Sequence, residues 1–183
     1  MDIKIISSTD RPDSTSLAVS KYVKTLFEKE GVKIELISLE DFPTSDVQGG
    51  LYGKPIPSVD EFRKPVLEAD AIMWVIPEYN GGFPGILKLF IDYLPFPEAF
   101  ANTTMGFIGV SAGGFGGMRA VEQFQMILNY RNAQQYPERV FIQRSSKTFD
   151  ALKGINVPFQ QELLEAQVKG FIKFVGNQKK TTI

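Results

Sequence analysis

The sequence predicts an α/β fold: five strands alternating with helices, forming a parallel sheet covered on both faces. Three observations carry this. Short apolar runs are followed repeatedly by segments with apolar residues at helical spacing. One of those runs, Ala69 to Ile76, is nearly all apolar, as a central parallel strand should be. Three turns rich in Ser, Gly or Pro each sit directly after a strand, so they converge on one edge of such a sheet.

The elements follow in order. Asp2 to Ser7 is the first strand. Ser14 to Glu30 is a helix that stops at Gly31, a common C-terminal signal. Val32 to Ser38 alternates enough for a second strand. Residues 41–57 are rich in Gly, Pro and Ser and predict a mobile loop. Ser58 to Leu67 reads as a short helix that Pro65 should disturb. After the third strand, Gly85 to Leu94 is a helix with apolar residues on more than one face, so most of its sides are buried. That pattern, with Phe96 and Phe100 beyond it, also suggests a partner surface. Thr104 to Val110 is the fourth strand and Met118 to Tyr130 the next helix. Arg139 to Gln143 is a short fifth strand, and Ser145 to Val157 is irregular. Pro158 to Val175 is a closing helix, with Pro158 allowed in its first turn. The last residues, from about 178 to 183, read as a frayed tail. With 183 residues and no internal repeat, the chain is expected to form one domain over 1–183.

Composition excludes several kinds of chemistry. The net charge is −1, which points to neither nucleic acid nor an anionic membrane. No apolar run is long enough to span a bilayer. Met1-Asp2 leads into a strand pattern rather than a signal segment, so the expectation is a soluble, cytoplasmic protein. There is no cysteine, hence no thiolate nucleophile, dithiol redox centre or cysteine-bound metal. There is no histidine, hence no histidine triad and no histidine-bound metal. Catalysis must rest on carboxylates, hydroxyls, Lys, Tyr or a bound cofactor.

The first turn, Ser8 to Ser16, holds five hydroxyl side chains and Arg11 just before a helix. A helix start presents unpaired N–H groups and partial positive charge, so this turn suits a phosphate. Plain capping by Ser14 or Ser16 remains a second reading. The second turn, Pro77 to Pro84, offers an aromatic face at Tyr79 and an amide at Asn80 for a planar heteroaromatic, or else a simple Asn80-Gly81 surface turn. The third turn contains Gly109-Val110-Ser111-Ala112-Gly113, which matches the serine-hydrolase elbow G-x-S-x-G. Without histidine that serine lacks its base, so Ser111 reads as a hydrogen-bonding group beside glycine-rich backbone. Asp70 and Glu78 are separated carboxylates, more readily a strand-end Asp and a loop Glu than a metal or acid/base pair.

These turns together resemble the NADPH-dependent FMN reductase family of the flavodoxin-like superfamily, which includes chromate- and quinone-reducing enzymes and azoreductase relatives. Ser8-Thr9-Asp10-Arg11-Pro12-Asp13-Ser14-Thr15-Ser16 stands where the family has roughly G-S-x-R-x-x-S-x-N. Pro77-Glu78-Tyr79-Asn80 reproduces its P-E-Y-N turn, Phe90-Ile91-Asp92-Tyr93-Leu94 is similar to its following helix, and Ser111 to Gly117 corresponds to S-x-G-x-x-G-G. Ser8 replaces a glycine and Ser16 an asparagine.

The resemblance implies a flavodoxin-like three-layer sandwich with strand order 2-1-3-4-5. It implies FMN as cofactor, with NADPH or NADH as donor and a small-molecule electron acceptor. Thr9, Arg11, Ser14 and Ser16, with Ser8 in the same turn, would hold the flavin phosphate. Pro77, Glu78, Tyr79 and Asn80, with Ser111, Ala112, Gly113 and Gly114, would line the isoalloxazine. No side chain is assigned a catalytic role, because the flavin carries the chemistry. The family precedent is a homodimer or homotetramer. An electron carrier without its own NAD(P)H activity is the alternative, although carriers of this fold are usually strongly acidic and this chain is near neutral.

Overall fold

The computed structural model describes residues 1–101 and 103–178. Its strands are β1 (Ile3–Ser7), β2 (Ile34–Ser38), β3 (Ala71–Pro77), β4 (Thr104–Val110) and β5 (Gln134–Ile142). They form one sheet in the order β2-β1-β3-β4-β5, with every neighbouring pair parallel. The helices are α1 (Thr15–Lys29), α2 (Pro57–Leu67), α3 (Gly85–Asp92), α4 (Met118–Tyr130), the single turn α5 (Ser145–Thr148) and α6 (Pro158–Gln178). The tail read at 179–183 lies outside the described residues, and α6 extends three residues past the expected end at Val175.

Parallel strands need crossover helices, and the helices cover both faces. The period of two along each strand divides the core. Ile72, Trp74 and Ile76 of β3 pack with Leu87 and Phe90 of α3 and Phe124 of α4. Ala71, Met73 and Val75 face the other way, onto Val19 and Val23 of α1 and Leu164 and Phe171 of α6. All seven residues of β3 are buried, as its apolar sequence requires.

Five segments depart from expectation. The stretch read as a mobile loop carries short 3-10 turns at Leu39–Asp41 and Thr44–Val47. Phe42 and Val47 are buried there, and the Tyr93 hydroxyl donates to the Val47 carbonyl at 3.0 Å. Helix α2 continues through Pro65 to Leu67, so the proline sits near its end and does not break it. The apolar helix α3 owes its character to packing within the chain: Phe90 and Leu94 are both buried in it. Its apolarity therefore does not itself indicate a partner.

Strand β5 begins at Gln134, five residues before the expected start. Met105 pairs with Gln135 and Phe107 with Arg139, so the ladder is interrupted between them. Pro137 lies in that interruption and has no N–H to give to the ladder. The buried Gln167 of α6 repairs the gap. Its amide nitrogen donates to the carbonyls of Phe107 at 2.7 Å and Glu138 at 3.0 Å. The segment read as irregular also holds a two-residue hairpin, β6 (Phe149–Asp150) against β7 (Gly154–Ile155).

Gln167→Leu should therefore lower stability by about 1–3 kcal/mol, because two carbonyls lose their buried partner. A chain of this size should show a fall in Tm of roughly 2–4 °C per kcal/mol. An unchanged Tm in a thermal melt would show that the loss is offset, by water at the two carbonyls or by removal of the buried, unpaired Gln167 Oε1.

Candidate active site

The strand-to-helix turns after β1, β3 and β4 meet at the carboxyl edge of the sheet, as doubly wound topology demands. They line one cleft of about 440 Å³, within the ordinary range for small-molecule sites. Arg11, Ser14 and Ser16 line it from the first turn, with Pro12, Asp13 and Thr15. Pro77, Glu78 and Tyr79 line it from the second, and Val110, Ser111 and Ala112 from the third. Ser145 and Ser146, after β5, complete the wall.

The first turn is built around the start of α1. Ser14 is the N-cap, and its hydroxyl oxygen accepts from the Leu17 N–H and from the Ser16 hydroxyl, both at 3.1 Å. Ser14 thus keeps its own proton free to donate, whereas Ser16 gives its proton to Ser14. Among the described residues, the N–H groups of Thr15 and Ser16 find no acceptor, and neither does the exposed Arg11 guanidinium. These donors on one cleft wall fit a phosphate. Asp13 also lines the cleft.

Thr9 and Ser8 lie behind this wall rather than in it. Both are buried. The Thr9 hydroxyl shares a 2.8 Å hydrogen bond with the Tyr79 hydroxyl and accepts from the Arg11 N–H at 3.2 Å, so it ties the first turn to the second. The Ser8 N–H donates to the Val75 carbonyl at 3.1 Å, and Ser8 has no positive φ, so this turn does not call for a glycine there.

The second turn closes through mutual hydrogen bonds between the backbones of Tyr79 and Gly82. Asn80 (φ 51°) and Gly81 (φ 77°) occupy its two central positions, both left-handed as a type I′ turn requires. Asn80 is exposed and does not line the cleft. Helix α4 grips this turn from outside: Arg119 Nη1 donates to Glu78 Oε1 at 2.9 Å, and Gln123 Nε2 donates to the Gly81 carbonyl at 3.1 Å. Glu78 Oε2 is buried with no partner among the described residues. Asp70 lies at the opposite edge of the sheet, accepting from the Asp2 N–H, so the two carboxylates do not form a pair.

The third turn contains two kinds of glycine. Gly117 has φ 85°, and a Cβ there would lie 2.6 Å from the Val110 nitrogen. It is needed for the close return of the chain over β4. Gly114 has open space around it, and Gly113 meets only Ser111 Oγ at 3.7 Å. Both are exposed just beyond the cleft-lining Ala112 and leave room for a ligand against the backbone. The Ser111 hydroxyl donates to the Gly113 carbonyl at 3.2 Å, not to a base.

Sequence reasoning missed Ser145 and Ser146. Backbone bonds from Arg144 N–H to Gly113 O and from Ser145 N–H to Ser111 O, both at 2.9 Å, bring them onto the third turn. The available signal was their position just past the end of a parallel strand.

A family model for NADPH-dependent FMN reductases matches residues 1–147. This chain belongs to that family. It is 31% identical over 143 residues to an NAD(P)H-dependent FMN reductase of Pseudomonas aeruginosa, covering 76% of each chain. It is 30% identical over 127 residues to an NADPH:quinone oxidoreductase of Arabidopsis thaliana, covering 66% of this chain and 63% of that one. In fold it is similar to FerB, a flavoenzyme NAD(P)H:acceptor oxidoreductase of Paracoccus denitrificans, with TM-score 0.77 and 20% identity, over 97% and 98% of the two chains. Of the first- and second-turn residues, Arg11, Ser14, Ser16, Pro77, Glu78 and Tyr79 line the cleft, and Ser8, Thr9 and Asn80 do not.

The division among the glycines is testable. Gly117→Ala should cost about 1–3 kcal/mol, since it forces a left-handed backbone and a steric contact together. Gly114→Ala should melt within about a degree of the parent, being a surface change away from such features. Equal melting temperatures for the two variants would remove the distinction.

Proposed function

We propose that this chain binds FMN in the cleft, phosphate at the first turn and isoalloxazine between the second and third, and works as an NAD(P)H-dependent oxidoreductase. The observation that carries this reading is the set of free donors at Arg11, Thr15 and Ser16, placed in the same cleft as the second and third turns. When bound, the flavin supplies hydride and electron transfer between NADPH or NADH and a small-molecule acceptor such as a quinone, a free flavin, an azo dye or a metal oxyanion.

The residues of the chain bind and orient. Arg11 and the helix-start N–H groups neutralise the phosphate with charge-assisted hydrogen bonds. The Thr9–Tyr79 bond fixes the spacing between the phosphate wall and the ring wall. Arg119 and Gln123 hold the second turn still while a ring packs against it. Backbone at Ala112 to Gly114 supplies N–H donors to a ring that gains negative charge on reduction. Ser111 serves as a hydrogen-bonding group, which needs no histidine. No side chain has to act as a nucleophile.

We read 1–183 as one FMN-binding domain and place the protein in the cytoplasm. In support, no helix among the described residues is long and apolar enough to cross a membrane. We also propose a homodimer or homotetramer. Phe96, Met126 and Tyr130 are 54%, 71% and 76% exposed. Phe96 and Tyr130 stack with ring centroids 5.9 Å apart, giving α4 and the segment after α3 an apolar outer surface.

Two measurements test these readings. Arg11→Ala should weaken FMN about tenfold to a hundredfold, for a charge-assisted bond of about 1.5–3 kcal/mol, and leave riboflavin unchanged because it lacks the phosphate. Fluorescence quenching reads both, and equal binding of FMN by parent and variant overturns the phosphate assignment. Tyr130→Glu should lower the sedimentation mass without unfolding the chain. A parent-like mass would place any interface elsewhere.

A further inference from the structure

We propose that Ser145 is a flavin-ring contact, its hydroxyl holding the pyrimidine edge of the isoalloxazine at the end of the cleft farthest from the phosphate. The proposal rests on the FMN reading above and deepens it.

Three observations converge on Ser145. It lines the cleft, although the residue as a whole is only 4% exposed. Its hydroxyl has no hydrogen-bond partner among the described residues and is not fully enclosed. Its backbone is held firmly: its N–H donates to the Ser111 carbonyl, and its neighbour Arg144 donates to Gly113. A rigidly placed hydroxyl with no partner in the chain, lining a ligand cleft, is positioned to bond a ligand that displaces water from it.

Strand order tells which part of the ligand that is. The cleft crosses the strand ends in the sequence β1, β3, β4, β5. The phosphate donors stand at β1 and Ser145 stands at β5, three strand spacings or about 14 Å away. A flavin with its phosphate at β1 presents its ring to β3 and β4, and the outer edge of the ring to β5. The two ring ends differ in chemistry. One bears two methyl groups. The other bears O2, N3–H and O4, which can both accept from and donate to a hydroxyl. Only the second satisfies Ser145.

The test uses four probes on flavin-free protein: FMN, riboflavin, lumiflavin (the ring without its side chain) and 6,7-dimethylquinoxaline, which keeps the dimethylated end but lacks O2, N3–H and O4. Ser145→Ala should weaken the first three by a common factor of about three to ten, the effect of one neutral hydrogen bond. It should leave 6,7-dimethylquinoxaline unchanged. The Tm of the flavin-free variant should match the parent, because the lost hydroxyl has no partner in the chain. Parent-like binding of all four probes overturns the proposal, as does a loss confined to FMN, which would place Ser145 at the phosphate. An equal loss for 6,7-dimethylquinoxaline overturns the edge assignment, and a lower Tm without flavin assigns Ser145 to the fold. If the parent itself bound none of the four, the FMN reading would fail instead, so the two failures are distinguishable.

Discussion

The structure depends on one constraint: a parallel strand must be followed by a crossover that returns the chain to the opposite edge of the sheet. Every strand in the order β2-β1-β3-β4-β5 therefore ends on the same edge. The turns after β1, β3, β4 and β5 are far apart in sequence but form one wall. The constraint also explains why the core side chains and the cleft residues do not compete. Burial is settled along the strands, in two layers of alternating side chains, and binding chemistry is left to backbone and short polar side chains just beyond them.

Much of this was legible in the residues. Ser, Gly and Pro punctuation directly after apolar runs located three of the four cleft turns. Thr104–Val110 and Met118–Tyr130 appear with the limits their patterns suggest. What could not be read was tertiary. Gln134 and Gln135 look like loop residues because Pro137 interrupts the ladder after them, and the gap is bridged by Gln167 from a distant helix. The apolar faces of α3 admitted either a partner or intrachain packing, and only the placement of Phe42 and the residues around it decided that. Thr9 reads as a ligand group by motif but bonds to Tyr79, 70 residues away. Ser145 carried no motif, so its place in the cleft emerged only from strand order and two backbone bonds.

The absence of histidine and cysteine is consistent with this division of labour. A protein that leaves the reaction to a bound flavin needs rigid donors at fixed separations, and the first and third turns supply them largely from backbone. Several struts keep those separations: Thr9 to Tyr79, Arg119 to Glu78, Gln123 to Gly81 and Ser145 to Ser111. Each strut crosses from one turn to another or to a neighbouring helix, so the wall is rigid as a unit rather than turn by turn.

The brace formed by Gln167 has a consequence for synthesis of the chain. The Glu138 carbonyl waits for a partner 29 residues downstream. At about 5–20 residues per second, a ribosome needs roughly 1.5–6 s to make that stretch. For that interval the bulged half of β5 has been made but lacks its cover. All four cleft-forming turns precede α6 in the chain. The binding groups are thus made before the sheet that holds them is finished, and a flavin that arrived early would meet a wall still lacking its last support.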